Sequence, residues 1–276
     1  MVRAALKVKK VGHTGTLDPM ATGLLPICLG DATKIAGYIT QGDKAYTANI
    51  KLGAETDTQD AQGKVLRQAP VPPLTRAVLE DALAAFRGPL LQVPPMYSAV
   101  KIDGKRLYEL ARAGEEVERQ PRPVTVHALD LLDFTPDSLT VQVRCSKGFF
   151  VRTLAFDLGR RLGCGAHLAA LRRTHSGSFS LAQALPLQTL LERVAAQAWG
   201  EISSRLVSPN DALAEMPPLS LPGPLAAKVR HGVAMDPPAD TPVGRIRVLD
   251  GGSGELLAIA EVTPERRLKY LRVLVS

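Results

Sequence analysis

Gly12-His13-Thr14-Gly15-Thr16-Leu17-Asp18-Pro19 is the densest run of chemistry-bearing residues in the chain. Two glycines and two threonines surround one carboxylate, and a proline follows it. So many breakers exclude a helix and define a loop, and loops carry function out of proportion to their length. A carboxylate on such a loop is ionised at neutral pH, because its ordinary pKa is about 3.9. It can attack carbon or take a proton, provided a cation fixes its direction and keeps it charged. The structural alternative is an Asx-type turn in which the Asp18 side chain accepts from nearby backbone amides. The run is not a P-loop, since no Gly-Lys-Ser/Thr follows, and it is not a dinucleotide fingerprint.

Arg152 is the candidate cation, with Lys147 close by in sequence. Read as a residue in isolation, it is better taken as a surface arginine. Tyr46 is either a core tyrosine or a ring that stacks on a nucleobase, an interaction worth about 1–3 kcal/mol. The acidic knot Glu55-Thr56-Asp57-Thr58-Gln59-Asp60-Ala61-Gln62-Gly63 has the look of a cation site. A calcium loop would need another ligand six residues past the glycine, where Ala69 stands, so a turn capped by its own side chains is the better reading. The five histidines form no zinc pattern, and Ser98 has no Gly-x-Ser-x-Gly context.

These residues need elements to hold them. Lys44 to Gly53 alternates, with Tyr46, Ala48, Ile50 and Leu52 on one face and Thr47, Asn49 and Lys51 on the other, which predicts a half-buried strand. Leu74 to Arg87 reads as a helix capped by Thr75, with Val78, Leu79, Ala82, Leu83 and Phe86 in one stripe. A strand is expected through Tyr97–Ile102, turning at Asp103-Gly104. A short helix from Arg106 to Ala113 follows, and then an exposed, mobile excursion from Glu115 to Pro123. Leu139 to Cys145 alternates as a strand, and a helix begins near Arg152 with Leu154, Leu158 and Leu162 four apart and Gly163 as its cap. Another helix spans Leu187 to Ala196. Beyond Asp211 the texture shifts to Pro, Gly and short strand-like runs at Arg245–Leu249, Leu256–Val262 and Tyr270–Val275, which predict a small barrel-type β module. The domain boundary is expected between 205 and 220.

Whole-chain composition agrees with a folded protein of about two domains for 276 residues. Hydrophobic residues at 45% exclude a disordered chain, and no apolar run is long enough to span a membrane. The charged N-terminus has no signal-peptide core. Cys28, Cys145 and Cys164 are far apart and odd in number, so a reducing cytoplasm is the expected location. The net charge is +7, of which +6 falls in residues 61–208, a basic middle suited to a polyanion such as RNA or DNA.

The Gly12–Pro19 run, continued by Ala21-Thr22-Gly23-Leu24-Leu25-Pro26, resembles the signature of the TruB family, tRNA pseudouridine synthases of the bacterial stand-alone type. Further blocks match in order: Asp43-Lys44-Ala45-Tyr46, Thr56 to Gly63, Gln92 to Lys101, Cys145-Ser146-Lys147-Gly148, Val151-Arg152-Thr153, and Leu162 to His167 with Leu171-Arg172-Arg173. Resemblance is strong from residue 8 to about 185 and weak in the tail. It implies an α+β pseudouridine synthase fold, with a mixed, mainly antiparallel sheet flanked by helices and a C-terminal PUA-like β-barrel. The implied domains are a catalytic domain at 1–208, with a thumb at about 105–123, and an RNA-binding domain at 209–276.

The implied reaction isomerises uridine-55 of the tRNA T loop to pseudouridine. The glycosidic bond breaks, the uracil turns, and it rejoins through carbon 5, with no cofactor and no metal. By resemblance, Asp18 is the catalytic aspartate, Arg152 its salt-bridge partner, and Tyr46 the ring that stacks on the base and helps move the proton. Leu171 lies on the base's other face, His13 fills the T-loop stack once the base has flipped, and Phe150 stands where the family usually has Tyr. Thr14, Lys101, Lys147 and Arg172 are the expected RNA contacts. The implied partner is the T arm of tRNA, with no membrane, no protein partner and a monomeric state. Three routes remain open for Asp18: attack at the anomeric carbon, attack at ring carbon 6, or removal of a sugar proton. The rival readings are a non-catalytic tRNA-folding protein and a guide-RNA-dependent synthase. The family usually opens with a strand ending in Lys-Pro-x-Gly, and that strand is missing from this sequence.

Overall fold

A computed structural model describes residues 1–274. The chain forms two compact units. One contains Leu17–Leu24 and Gly42–Ser176, and the other contains Met1–Thr16, Leu25–Gln41 and the residues from Gly177 onward.

The first unit is built on strands β1 (Lys44–Leu52), β2 (Gly88–Gln92), β3 (Arg122–Thr135), β4 (Ser138–Cys145) and β5 (Ala166–Ser176), with helices α1 (Arg76–Ala84) and α2 (Val151–Arg161). The spatial order is β5-β1-β4-β3-β2, and every neighbouring pair is antiparallel. Thr22–Gly23 adds a short parallel pairing to β5 at Arg172 and Arg173, which makes the sheet mixed. The expected α+β class with a mainly antiparallel sheet is what the chain forms.

Alternation explains the core. On β1, Ala48, Ile50 and Leu52 are buried, and the register sets Ala48 opposite Val141 and Ile50 opposite Leu139. A fully buried Ile or Leu side chain contributes roughly 1.5–3 kcal/mol. Helix α2 presents Val151, Leu154, Ala155 and Leu158 to this layer, and α1 adds Leu79, Ala82 and Leu83. Gly159 lets α2 lie directly against β5, because a Cβ there would sit 2.1 Å from the Ala166 nitrogen. Thr75 caps α1 by accepting from the Val78 amide. Val78, expected on the apolar stripe, is exposed instead. The expected strand through Tyr97–Ile102 is restricted to Lys101–Ile102, which pairs with Lys105–Arg106 around Asp103-Gly104. Both turn residues have positive φ, as a tight hairpin demands.

In the second unit, Val11–His13 pairs antiparallel with Ile27–Leu29, so the expected loop contains a short hairpin. A four-stranded sheet runs through Pro218–Leu221, Gly244–Asp250, Leu256–Val262 and Leu268–Val273, with the first pair parallel and the others antiparallel. The helix Gly223–Arg230 packs on it. The barrel expected for the tail does not close among the described residues, where the sheet is open; Val275, at the end of the last expected strand, lies outside them. Cys28, Ile35 and Ile39 share a core with Leu213, Leu256, Ile259 and Leu274, so this unit draws on both ends of the chain.

Candidate active site

The Asp18 turn is closed by its own backbone, where Ala21 N–H donates to the Asp18 carbonyl at 2.8 Å. Pro19 occupies the position of such a turn where a fixed φ helps most. The carboxylate is therefore free of local amides and goes to Arg152. Arg152 Nε donates to Asp18 Oδ2 at 3.0 Å and Nη2 donates to Oδ1 at 2.9 Å, a two-pronged pair between residues 134 apart in sequence. Such a fork fixes orientation as well as charge.

Arg152 is not a surface arginine. It is 4% exposed, in the first turn of α2, and its remaining donors are also engaged. Nη1 donates to the Thr58 carbonyl at 3.1 Å, and Nη2 also donates to the Tyr97 carbonyl at 2.9 Å. Asp60 Oδ2 lies 3.8 Å from Nη1. The acidic knot thus holds a cation after all, the guanidinium of Arg152. It is also the capped turn expected: Asp60 Oδ1 accepts from Thr58 Oγ1 and from the Gln62 amide. Gln59 takes a positive φ of 62° there, and its side chain accepts from Thr153 Oγ1 at 3.1 Å.

A second pin holds the Asp18 segment. Arg173 on β5 is 2% exposed, and its Nε donates to the Leu24 carbonyl at 2.7 Å while Leu24 N–H donates to the Arg173 carbonyl at 2.8 Å. Gly23 has φ +97°, and a Cβ there would meet the Arg173 carbonyl oxygen at 2.3 Å, so only glycine fits. Tyr46 lies opposite Arg173 in the β1–β5 register. Burial pushes the Tyr46 hydroxyl up to about 12, reinforced by Cys145 and, more weakly, by Asp18, against the opposing pull of Arg173.

The structure therefore brings Asp18, Arg152 and Tyr46 into one unit, where Asp18's charge is felt at Tyr46. Leu171 is buried in the same core against which Tyr46 packs. Phe150 is the N-cap residue of α2, two positions before Arg152. Lys101, Lys147 and Arg172 are exposed in this unit. His13 and Thr14 belong to the other unit. His13 is exposed on its hairpin strand, and Thr14 is fully buried with its amide donating to the Pro26 carbonyl.

Sequence reasoning left out Asp60, Gln59, Arg173 and the carbonyls of Thr58 and Tyr97. Only the acidic knot carried a readable signal, because a backbone acceptor has no residue-type signature. Among the described residues no group of three or more His, Cys, Asp or Glu is placed to hold a metal ion, and no helix is long and apolar enough to cross a membrane.

Known proteins share this fold. The solved Cbf5-Nop10-Gar1 complex contains a chain that matches with a TM-score of 0.76 at 22% identity, over 99% of this chain and 79% of that one. A chain of an H/ACA RNP bound to a substrate RNA containing 2'-deoxyuridine matches with a TM-score of 0.75 at 20% identity, over 100% of this chain and 79% of that one. At that identity the likeness is one of fold. In sequence, a protein named tRNA pseudouridine synthase B from Pseudomonas aeruginosa (strain UCBPP-PA14) is 48% identical over all of this chain and 90% of its own length. Another of that name, from Symbiobacterium thermophilum, is 55% identical over 84% of this chain and 76% of its own. Residues 3–151 match the family model described as TruB family pseudouridylate synthase (N terminal domain), and residues 152–215 match tRNA pseudouridylate synthase B C-terminal domain. With both models and full-length relatives in agreement, this chain belongs to the TruB family of pseudouridylate synthases.

Proposed function

We propose that the protein isomerises uridine-55 in the T loop of tRNA to pseudouridine, with Asp18 as the catalytic carboxylate. The observation that carries this reading is the two-pronged Asp18–Arg152 pair, held in a bed of protein acceptors while the Asp18 side chain keeps 30% of its surface accessible. A fixed, ionised and reachable carboxylate is what nucleophilic attack or proton removal requires. The curated relatives named above supply tRNA as the substrate class.

The target base is stacked inside folded RNA, so it must be flipped out at a cost of a few kcal/mol. Tyr46 and Leu171 would receive it on its two faces, and the Tyr46 hydroxyl, neutral at physiological pH, could pass a proton. His13 would occupy the gap left in the T loop. Phe150 would offer a ring without a hydroxyl. Lys101, Lys147 and Arg172 would bind the RNA backbone, from which Thr14, fully buried, is shielded, and the segment at about 105–123 would close over the T arm. The domain at 1–208 would carry catalysis and 209–276 would add RNA binding. A monomeric cytoplasmic enzyme suffices for this reaction, which needs neither cofactor nor metal because no atoms are lost and no electrons are transferred.

The test is tritium release from carbon 5 of uridine in a T-arm hairpin under single-turnover conditions. Wild type should release tritium from the target uridine. Asp18→Asn, which is nearly isosteric but has no carboxylate, should bind the hairpin with near-normal affinity and release none. Asp18→Asn turnover within about tenfold of wild type would remove the carboxylate from the mechanism.

A further inference from the structure

Gln92 ends strand β2, is 3% exposed, and spends both ends of its side-chain amide on a single residue. Its Nε2 donates to the Phe150 carbonyl at 2.9 Å, and its Oε1 accepts from the Phe150 amide at 2.7 Å, across 58 positions of sequence. Phe150 is the N-cap residue of α2 and has no side-chain cap of its own. Its amide is among the donors that a helix start leaves unsatisfied, and an apolar neighbour would abandon it. Its carbonyl also accepts the first intrahelical bond, from Leu154 N–H at 3.1 Å.

We propose that Gln92 is a positioning residue for Arg152, and through Arg152 for Asp18. This rests on the reading of Asp18 as the catalytic carboxylate. Arg152 is two residues past Phe150, so the clamp fixes where its long side chain starts. Five residues past Gln92, the Tyr97 carbonyl accepts from Arg152 Nη2, so the same segment also fixes where the side chain ends. Pro94 and Pro95 stiffen the span between the two anchors. Gln92 and Tyr97 thus set the distance between the helix start and the guanidinium. A drift of the N-cap backbone would turn the Arg152 fork out of register with both carboxylate oxygens. It would leave the charge in place and lose the alignment.

A double-mutant cycle decides this, with single-turnover tritium release, hairpin affinity and thermal melting as readouts. Gln92→Met keeps the volume and removes both polar atoms. Its rate should fall on the order of tenfold to a hundredfold with hairpin affinity near wild type. The doubly substituted Gln92→Met, Arg152→Lys protein should be no slower than Arg152→Lys alone, because both changes remove the same alignment. Gln92→Glu keeps an acceptor for the Phe150 amide and loses the donor, so its rate should fall between Gln92→Met and wild type. A Gln92→Met rate equal to wild type, or losses that multiply in the double variant, would overturn the proposal. If neither single variant folds, Gln92 is a folding residue and the proposal is again overturned. Wild type and Asp18→Asn run alongside: an inactive wild type or an active Asp18→Asn would instead break the underlying reading, whatever the Gln92 variants do.

Discussion

Arg152→Lys separates charge from geometry at the site. An ammonium keeps Asp18 next to a cation but cannot hold both oxygens in a plane. The expected outcome is a fall in single-turnover rate of about a hundredfold, with RNA affinity nearly unchanged. A wild-type rate for Arg152→Lys would refute the role given to the fork. Tyr46 makes a pH prediction. Its folded-state pKa, about 12, is above the ordinary tyrosine value, so its contribution to stability is fully present below about pH 10 and is lost as pH rises through 12. Denaturant melts at neutral pH and at pH about 11 should therefore show a larger alkaline loss in wild type than in Tyr46→Phe. An equal loss in the two would place Tyr46's hydroxyl in a solvated setting. Asp18, Arg152 and Tyr46 were legible in the sequence because their motifs carry the family resemblance. Their residue types alone left each with a bland alternative. Asp60, Arg173 and Gln92 were not legible as site residues, because their partners are backbone atoms or lie far along the chain.

Elements differ in how plainly the sequence announces them, and the reason is periodicity. Strands β1 and β4 alternate without interruption and could be read directly. Strand β3 carries register shifts between Val126 and Ala128 and between Leu131 and Asp133, and β5 carries them between Leu168 and Ala170 and between Arg173 and His175. Each bulge inserts a residue and moves the side chains beyond it to the other face, which erases the period-2 signal. Pro218–Leu221 and the helix Gly223–Arg230 were masked by prolines that in fact stand at element starts, where proline is tolerated. A close approach between elements gives the prediction at this scale. Gly23→Ala forces a Cβ against the Arg173 carbonyl at a backbone angle that alanine resists. It should destabilise the protein by more than about 1 kcal/mol and loosen the Asp18 turn, lowering the melting temperature and the reaction rate together. Unchanged melting and rate would mean that the Thr22–Gly23 pairing to β5 does not hold the site.

Over the whole molecule, the excess of positive charge in residues 61–208 belongs mostly to the unit that holds Asp18 and Arg152. Binding to RNA should weaken steeply as salt rises from low to physiological concentration, since each neutralised phosphate releases counterions. Affinity flat in salt would remove the electrostatic surface from the account. Composition made this basic character readable at once, while the sharing of one core by Cys28, Ile35 and Ile39 with the C-terminal sheet was hidden, because no local pattern reports a contact across the length of the chain. The most direct measurement is a pseudouridine map of the tRNA pool from a host lacking its own uridine-55 synthase, supplied with either wild type or Asp18→Asn. Wild type should restore pseudouridine at position 55 and Asp18→Asn should leave that position as uridine. An unmodified position 55 with wild type, or a modified one with Asp18→Asn, would contradict the account.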